Sequence, residues 1–282
     1  MTASTGRPFW KMSGSGNDFV FFDSRAFTGG VDPLENPSEI ASICAPHIGV
    51  GADGVVFIDE SADSLFAIRY YNADGSRATL CGNASLCATQ SAVKIGLVSR
   101  EETFHFTSDA GRIEASIDSA GEATVRLAPV MGLEADAAEG LAPRERRIGY
   151  AVVGVPHLVV LTGDAAAIDV VGRGRILRNG TLRAPRGANV NFVSASDAPG
   201  EWSIRTYERG VEGETYACGT GAVATAACLI AWQMAPAGEA VRLRTASGRV
   251  LAVQLPTGSD EAWSALSGEG RVVYDGLLGA YR

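Results

Sequence analysis

The sequence has no long apolar run, no dense cluster of basic residues and only 3 histidines. No stretch of its 282 residues approaches the roughly 18 uninterrupted apolar residues of a transmembrane helix. Its formal net charge of -8 argues against nucleic acid or an anionic membrane surface as a partner. The first residues lack the apolar segment of a secretory signal. We therefore expect a cytoplasmic protein, with no nucleic acid and no membrane among its partners.

The cysteines form an odd set of 5, at positions 44, 81, 87, 218 and 228. Disulfide frameworks are typical of short secreted chains with an even cysteine count, so thiols are the expected state here. Cys81 and Cys87 are separated by five residues and have no histidine beside them in the sequence, so we predict no metal site. The composition, 46% hydrophobic and 20% charged, is that of an ordinary globular protein with a sizeable core.

One short cysteine pattern occurs twice. Cys218 begins Cys-Gly-Thr-Gly-Ala-Val-Ala and Cys81 begins Cys-Gly-Asn-Ala-Ser-Leu-Cys, and each continues into small residues typical of a closely packed helix. Each cysteine is thus predicted at a helix N-terminus, where the first backbone N–H groups have no partner within the helix and the dipole is positive. A thiol in that position should ionise more readily than free cysteine, whose pKa is about 8.5.

Either cysteine alone is better explained as a small buried side chain at a glycine-rich turn. The two lie 137 residues apart, close to half of the chain, which indicates two related halves. If both faced one carbon atom, a thiolate on one side could remove a proton while a thiol on the other side returned one. Such a pair would invert a stereocentre without a cofactor, and the helix-start N–H groups could stabilise the charge that develops.

The remaining pattern favours an α+β fold. Short strands are predicted within 9–23, 55–58, 65–71, 103–106, 111–116, 123–127, 150–161, 204–209, 241–244, 249–254 and 269–274, with a break at 154–157. A short helix is predicted at 37–44 and one long helix after each Cys-Gly pair, which is not the alternating pattern of a parallel sheet. The formal G-x-G-x-x-G at 49–54 follows a helix and precedes a strand, so it does not predict a dinucleotide site.

Six stretches together resemble the diaminopimelate epimerase family: KMSGSGNDFVFFD, GVGADG, YYNADGSRATLCGN, GVPHLVV, GANVNF and TYERGVEGETYACGTGA. The resemblance covers nearly the whole chain. It implies two pseudo-symmetric domains, each a β-barrel-like sheet around a central helix, with the active site in the cleft between them. The expected domains are 1–128 with 270–282, which carries Cys81, and 129–269, which carries Cys218.

The resemblance also implies roles for individual residues. Cys81 and Cys218 would be the acid/base thiols of the epimerisation, with His157 and Glu208 beside the reacting centre. Gly82, Asn83, Gly219 and Thr220 would bind the reacting carboxylate, and Glu208 the α-amino group. Asn72, Asn189 and Arg209 would hold the distal end of the substrate, with Asn17 lining the pocket. The family implies a small-molecule amino-acid substrate, a homodimer, and neither cofactor nor metal.

Three positions depart from the family pattern. Val155 stands where asparagine usually precedes Pro-His, Leu86 replaces an arginine, and Gly54 stands where some members place a glutamine. None of them touches the two thiols, so they concern the distal end of the substrate. Two alternatives stay open: a racemase for another amino acid on the same scaffold, and a thiol-disulfide redox protein that uses Cys81 and Cys218. A phenazine-branch relative, which lacks such thiols, is disfavoured because both are present.

Overall fold

The computed structural model describes residues 6–26, 32–138, 140–180, 187–258 and 263–279. Two segments used in the predictions lie outside the described residues. They are residues 1–5, which entered the secretory-signal prediction, and residues 280–282, the end of the expected N-terminal domain. The chain separates into two compact units. One is Met1–Val125 with Glu269–Arg282, and the other is Arg126–Gly268.

The secondary structure consists of many strands and four described helices. In the first half of the chain these are β1 (Arg7–Gly14), β2 (Asn17–Asp23), α1 (Pro37–Cys44), β3 (Gly54–Asp59), β4 (Ala67–Asn72), β5 (Arg77–Ala78), α2 (Gly82–Lys94), β6 (Thr103–Ser108), β7 (Gly111–Ile117) and β8 (Ala123–Leu127). In the second half they are β9 (Met131–Glu134), β10 (Glu145–Val153), β11 (Val155–Thr162), α3 (Val170–Arg178), β12 (Asn189–Ala195), β13 (Glu201–Glu208), β14 (Gly213–Thr215), α4 (Gly219–Ala231), β15 (Val241–Arg244), β16 (Val250–Gln254), β17 (Ser264–Gly268) and β18 (Gly270–Leu278).

The first unit is a mixed sheet around α2. β18 pairs antiparallel with β1, β1 antiparallel with β2, β2 parallel with β3, and β3 antiparallel with β4. β6, β7 and β8 form an antiparallel meander that joins β4 through a parallel pair. α2 contacts β18 and β1 as well as β7, strands far apart in this order, so the sheet wraps around the helix.

The second unit repeats this arrangement around α4. β10 and β11 are antiparallel, β11 and β12 parallel, and β12 and β13 antiparallel. β13 then pairs parallel with β15, and β15, β16 and β17 continue antiparallel. α4 contacts β10, β11 and β12 on one side and β16 and β17 on the other. The predicted α+β fold, with two similar sheet-and-helix units, is confirmed.

Small side chains let each sheet approach its helix closely. Gly82 to Thr89 of α2 are all buried, and Gly221 to Leu229 of α4 are all buried. A side chain at Gly14 would collide with the Asn83 carbonyl oxygen, and one at Gly149 would meet Cys228 Sγ at 2.7 Å. Burial on nearly all faces explains the Ala, Ser, Thr, Gly and Cys composition of both helices, because larger residues would overpack the space.

Some elements differ from the sequence predictions. The expected break at 154–157 is confined to Gly154, which adopts a φ of +68°, so Pro156 and His157 belong to β11. β9 and β17 were not predicted; all four residues of β9 are exposed, which leaves no apolar alternation to reveal it. Within the described ranges no helix combines the length and hydropathy needed to cross a membrane.

Candidate active site

Cys81 is the residue that begins α2. It has extended backbone angles, φ -133° and ψ 119°, and its carbonyl accepts the Ser85 N–H at 2.9 Å, so it is the N-cap. The Cys81 side chain is half-buried, and its thiol does not cap the helix. The sulfur therefore lies at the N-terminal end of α2, where the helix dipole is positive.

The first turn of α2 is hydrogen-bonded to the hairpin formed by β1 and β2. Asn83 is only 1% exposed, and its Nδ2 donates to Oδ1 of Asn17 at 2.7 Å. Asn17 Nδ2 in turn donates to Oδ2 of Asp53 at 2.9 Å, and the Asp53 N–H donates to Oδ1 of Asp18 at 3.0 Å. Asp18 pairs with Lys11 at 2.6 Å. This chain of contacts brings together Asn17 and Asn83, two of the residues to which the resemblance assigns contacts with substrate.

Asn72 lies at the end of β4, directly opposite Gly54 in the β3–β4 pair. Its backbone N–H and its Nδ2 both donate to Ser76, at 2.9 Å and 3.0 Å, so it closes the turn that follows. The Tyr70 ring covers Gly54, where an added Cβ would meet Tyr70 Cε2 at 2.6 Å. The space that a longer side chain would need at residue 54 is therefore occupied by Tyr70.

Cys218 begins α4 in the same way as Cys81 begins α2. Its φ of -137° and ψ of 110° match those of Cys81 within 10°, and its carbonyl accepts the Ala222 N–H at 2.9 Å. The half-buried thiol lies 3.6 Å from Oγ1 of Thr220. The second unit thus presents a second thiol at a second helix N-terminus.

His157 and Asn189 are neighbours on the parallel strands β11 and β12. Both side chains are buried. Asn189 Oδ1 accepts the backbone N–H of Arg209 at 2.8 Å, which ties the start of β12 to the loop after β13. Three residues that the sequence assigned to one site, namely His157, Asn189 and Arg209, are therefore close to each other.

The loop between Glu208 and Cys218 is held by acidic side chains. Glu212 accepts from Arg178 at 3.0 Å and from Tyr207 at 3.1 Å, and Glu214 forms a bidentate pair with Arg205 at 2.7 Å. Glu208 ends β13, and its carbonyl accepts the Glu212 N–H at 2.8 Å. These contacts fix the backbone of the segment that connects Glu208 to the Cys218 helix.

Burial separates the other thiols from Cys81 and Cys218. Burial raises the pKa of Cys44 and of Cys228 to about 12, and it raises the pKa of Cys87 well above the ordinary thiol value. These three cysteines belong to the buried core. His157 is also affected, because burial and the nearby Arg209 charge lower its pKa to about 3, so the imidazole is neutral at pH 7.

Comparison with known proteins settles the family. The family model described as diaminopimelate epimerase matches residues 9–131 and 149–263. The chain belongs to the diaminopimelate epimerase family. A diaminopimelate epimerase of Gemmatimonas aurantiaca is 45% identical over 281 residues, covering 96% of this chain and 98% of that protein.

Solved structures with low sequence identity share the fold of this diaminopimelate epimerase family member. A Bacillus anthracis phenazine biosynthesis protein of the PhzF family has a TM-score of 0.74 at 14% identity, covering 96% of this chain and 98% of the other. A probable proline racemase from Agrobacterium radiobacter has a TM-score of 0.69 at 19% identity, covering 97% and 93%. At such identities the similarity establishes the fold alone.

We call Cys81 with the first turn of α2, and Cys218 with the first turn of α4, the two half-sites. Three further residues around the predicted site were given no contact from the sequence. Asn191 contacts His157, Gly221 allows α4 to approach Asn191, and Tyr70 fills the space over Gly54. Asn191 and Tyr70 lie inside the family-like stretches GANVNF and YYNADGSRATLCGN, which was the available signal. The contacts of Asn191 and Tyr70 depend on the strand face that each side chain occupies. These stretches show no apolar–polar alternation from which that face could be predicted.

Proposed function

We propose that this protein is a cofactor-independent isomerase that interconverts LL- and meso-2,6-diaminopimelate at one α-carbon. The observation that carries the proposal is the repeated helix start: Cys81 and Cys218 are both N-cap residues with half-buried thiols and matching backbone angles. Membership of the diaminopimelate epimerase family supports the substrate and the reaction.

The reaction needs two proton transfers at one carbon. One cysteine, as thiolate, removes the α-proton and becomes a thiol, leaving the electron pair on the substrate. The other cysteine, as thiol, delivers its proton to the opposite face and becomes a thiolate. Configuration inverts, no electrons leave the substrate and no cofactor takes part. Because the two cysteines exchange protonation states, the cysteine that is the thiolate at the start of the forward reaction is the thiol at the start of the reverse reaction.

The carbanion must be stabilised, because an amino-acid α-hydrogen is only weakly acidic. We assign this role to the first-turn N–H groups of α2 and α4, at Gly82, Asn83, Gly219 and Thr220, which bind the reacting carboxylate. Preorganised donors in a site without water contribute a few kcal/mol each, roughly 10²–10³ in rate. The Asn83–Asn17 hydrogen bond of 2.7 Å supports this assignment, since it holds the first turn of α2 in place.

The other contacts with substrate follow from the same proposal. Glu208 takes the α-amino group, and His157 lies beside the reacting centre. Asn72, Asn189 and Arg209 take the distal end, with Asn17 at the pocket wall. The bond from Arg209 N–H to Asn189 Oδ1 supports a common role for those two residues.

The distal end is where a different amino acid would be selected. Val155 and Gly54 have no polar side chain to contribute there, and the Tyr70 ring fills the space over Gly54. The alternative function is therefore racemisation of another amino acid with the same two thiols. A panel of single-carboxylate amino acids, proline and hydroxyproline among them, decides between the two: racemisation of one of these, with none of diaminopimelate, supports the alternative.

The main test uses deuterated water. The enzyme is incubated with LL-diaminopimelate, and α-carbon deuterium and the meso isomer are measured by mass spectrometry and chiral chromatography. We expect label at the α-carbon of the product and loss of activity by about 10²-fold or more in Cys81→Ser and in Cys218→Ser. Cys44→Ala is the matched control, because that buried cysteine is outside the half-sites, and it should keep its activity. Absence of α-deuterium with wild-type enzyme would refute the proposal.

We also propose that the protein acts in the cytoplasm, in the synthesis of lysine and peptidoglycan precursors. Its expected assembly is a homodimer. Sedimentation equilibrium tests the assembly, with a mass of twice 29.3 kDa as the expected result. The redox alternative makes a different prediction, since turnover would then depend on thioredoxin. The epimerase instead needs both cysteines reduced, and all five cysteines are thiols in this structure.

A further inference from the structure

Asn191 is the centre of a buried hydrogen-bonded group in the second unit. It is fully buried in β12, and its Nδ2 lies 3.0 Å from the Leu158 carbonyl oxygen and 3.3 Å from Nδ1 of His157. Its Oδ1 accepts from Oγ1 of Thr206 at 2.9 Å. Three contacts, from residues on the neighbouring strands β11 and β13, therefore hold the Asn191 amide.

These contacts fix the orientation of the Asn191 amide. A backbone carbonyl oxygen only accepts hydrogen bonds, so the atom beside Leu158 O must be the NH₂ group and not the oxygen. The same NH₂ group has a second hydrogen, and that hydrogen faces Nδ1 of His157. Nδ1 must then act as an acceptor, which places the proton of the neutral imidazole on Nε2.

The opposite ring nitrogen has a different environment. His157 Nε2 is buried, and among the described residues no atom forms a hydrogen bond with it. A buried N–H without an acceptor is costly, on the order of 1–3 kcal/mol, so such groups in native proteins call for a functional explanation. Burial and the Arg209 charge keep the ring neutral by lowering its pKa to about 3.

Asn191 also lies against the Cys218 helix. A Cβ added at Gly221 would collide with Asn191 Oδ1 and would meet Cys218 Sγ at 3.2 Å. One glycine in the first turn of α4 is thus flanked by both the amide and the thiol. The amide that orients His157 therefore belongs to the half-site of Cys218.

We propose that Asn191 is a positioning residue that holds His157 as its Nε2–H tautomer, so that His157 serves the reaction as a hydrogen-bond donor to an anionic atom and not as a base. The inference rests on the proposed epimerase function for its chemical role, but the tautomer itself does not. A neutral donor lowers the energy of a thiolate or carboxylate beside it without taking up a proton. A neutral Nε2–H nitrogen has no lone pair in the ring plane and cannot remove the proton of a thiol.

The tautomer is tested on the free enzyme by ¹⁵N NMR of histidine-labelled protein at pH 7. We expect the His157 resonances, assigned by their loss in His157→Gln, to show protonated Nε2 and unprotonated Nδ1. Asn191→Asp places a carboxylate oxygen against Nδ1, so that nitrogen should become protonated. The inference is overturned if wild-type His157 has its proton on Nδ1 or on both nitrogens.

Kinetics test the role. Asn191→Asp should lower kcat by about 10²-fold, the order of a lost preorganised donor, with KM changed by less than about 5-fold. Thr206→Val is the matched control: it removes the bond to Oδ1 but leaves the Leu158 carbonyl to orient the amide, so tautomer and kcat should persist. Unchanged kcat in Asn191→Asp, with the tautomer altered, would overturn the role.

Two substitutions of His157 separate a donor from a base. The Gln amide offers an N–H near the position of Nε2 but is not basic, whereas Leu offers neither. A donor role predicts that His157→Gln keeps at least about 10-fold more activity than His157→Leu, and a base role predicts equal losses. Wild-type enzyme that gives no deuterium exchange refutes the epimerase function, while the NMR result still decides the tautomer.

Discussion

Asn83 in α2 donates a hydrogen bond of 2.7 Å to Oδ1 of Asn17 in β2, across 66 positions of sequence. The bond joins the first turn of the Cys81 helix to the hairpin formed by β1 and β2. Asn17 is fixed in turn by Asp53, which lies in the segment before β3. The first turn of α2 is therefore positioned by contacts from two other segments, and each contact can be removed singly.

Removing Asn17 should loosen this first turn. In Asn17→Ala the buried Asn83 side chain loses its hydrogen bond to Oδ1 of residue 17, so the free energy of unfolding should fall by about 1–3 kcal/mol. Urea denaturation followed by circular dichroism measures the change. The control is Asn179→Ala, an exposed helix C-cap, where the change should stay within about 0.5 kcal/mol. Equal effects of the two substitutions would contradict the expected importance of the Asn17 contact.

The cysteines should differ in their reaction with iodoacetamide. In the folded protein at pH 8 we expect alkylation of Cys81 and Cys218, because only these thiols are half-buried. Burial raises the pKa of Cys44 and Cys228 to about 12, so their thiolate fraction and their accessibility are both very small. Peptide mass spectrometry measures each site, and labelling in urea provides the reference for all five. Rapid labelling of Cys44 or Cys228 without denaturant would contradict the burial argument.

Gly54 should not tolerate a side chain. A Cβ there collides with the Tyr71 carbonyl oxygen and meets Tyr70 Cε2 at 2.6 Å, and backbone cannot yield as a flexible side chain would. Gly54→Ala should therefore lower the free energy of unfolding by about 1–3 kcal/mol. Gly140→Ala is the matched control, since no described atom lies within 4 Å of its added Cβ. Thermal and urea unfolding of both variants check the difference, and equal stabilities would show that Tyr70 moves aside freely.

The stability of the second unit should fall as the solution is acidified through the histidine range. His157 has a pKa of about 3 when folded and an ordinary value of 6.5 when unfolded, so below pH 6.5 the unfolded chain binds the additional proton. Proton binding to His157 in the unfolded chain lowers the free energy of unfolding by about 2 kcal/mol between pH 7 and pH 5. His157→Gln removes the titrating group, so its unfolding free energy should change by that much less over the same interval. A parallel pH dependence in the two proteins would mean that folded His157 titrates normally.

Much of the fold follows from local sequence. The boundaries of α1, the β1–β2 hairpin and the meander β6 to β8 agree with the predicted segments to within a few residues, since turn residues and apolar alternation mark them. The strand β9 was missed because its residues are exposed, and Pro156 and His157 were placed in a turn because proline usually interrupts a strand. In β11 only Gly154 turns the chain.

The sequence by itself determined the two thiols, their place at helix starts and the family, because a repeated Cys-Gly pattern and six matching stretches are local information. Only the tertiary structure decided what surrounds these residues. In the folded chain Asn17 forms a hydrogen bond with Asn83, Asn189 with the Arg209 backbone, and Asn191 with His157. These partners are 20 to 66 residues apart in the sequence. The tertiary structure also buried His157 completely, which makes the ring neutral. Hydrogen-bond partners and pKa values depend on neighbours in space, and strand register supplies those neighbours.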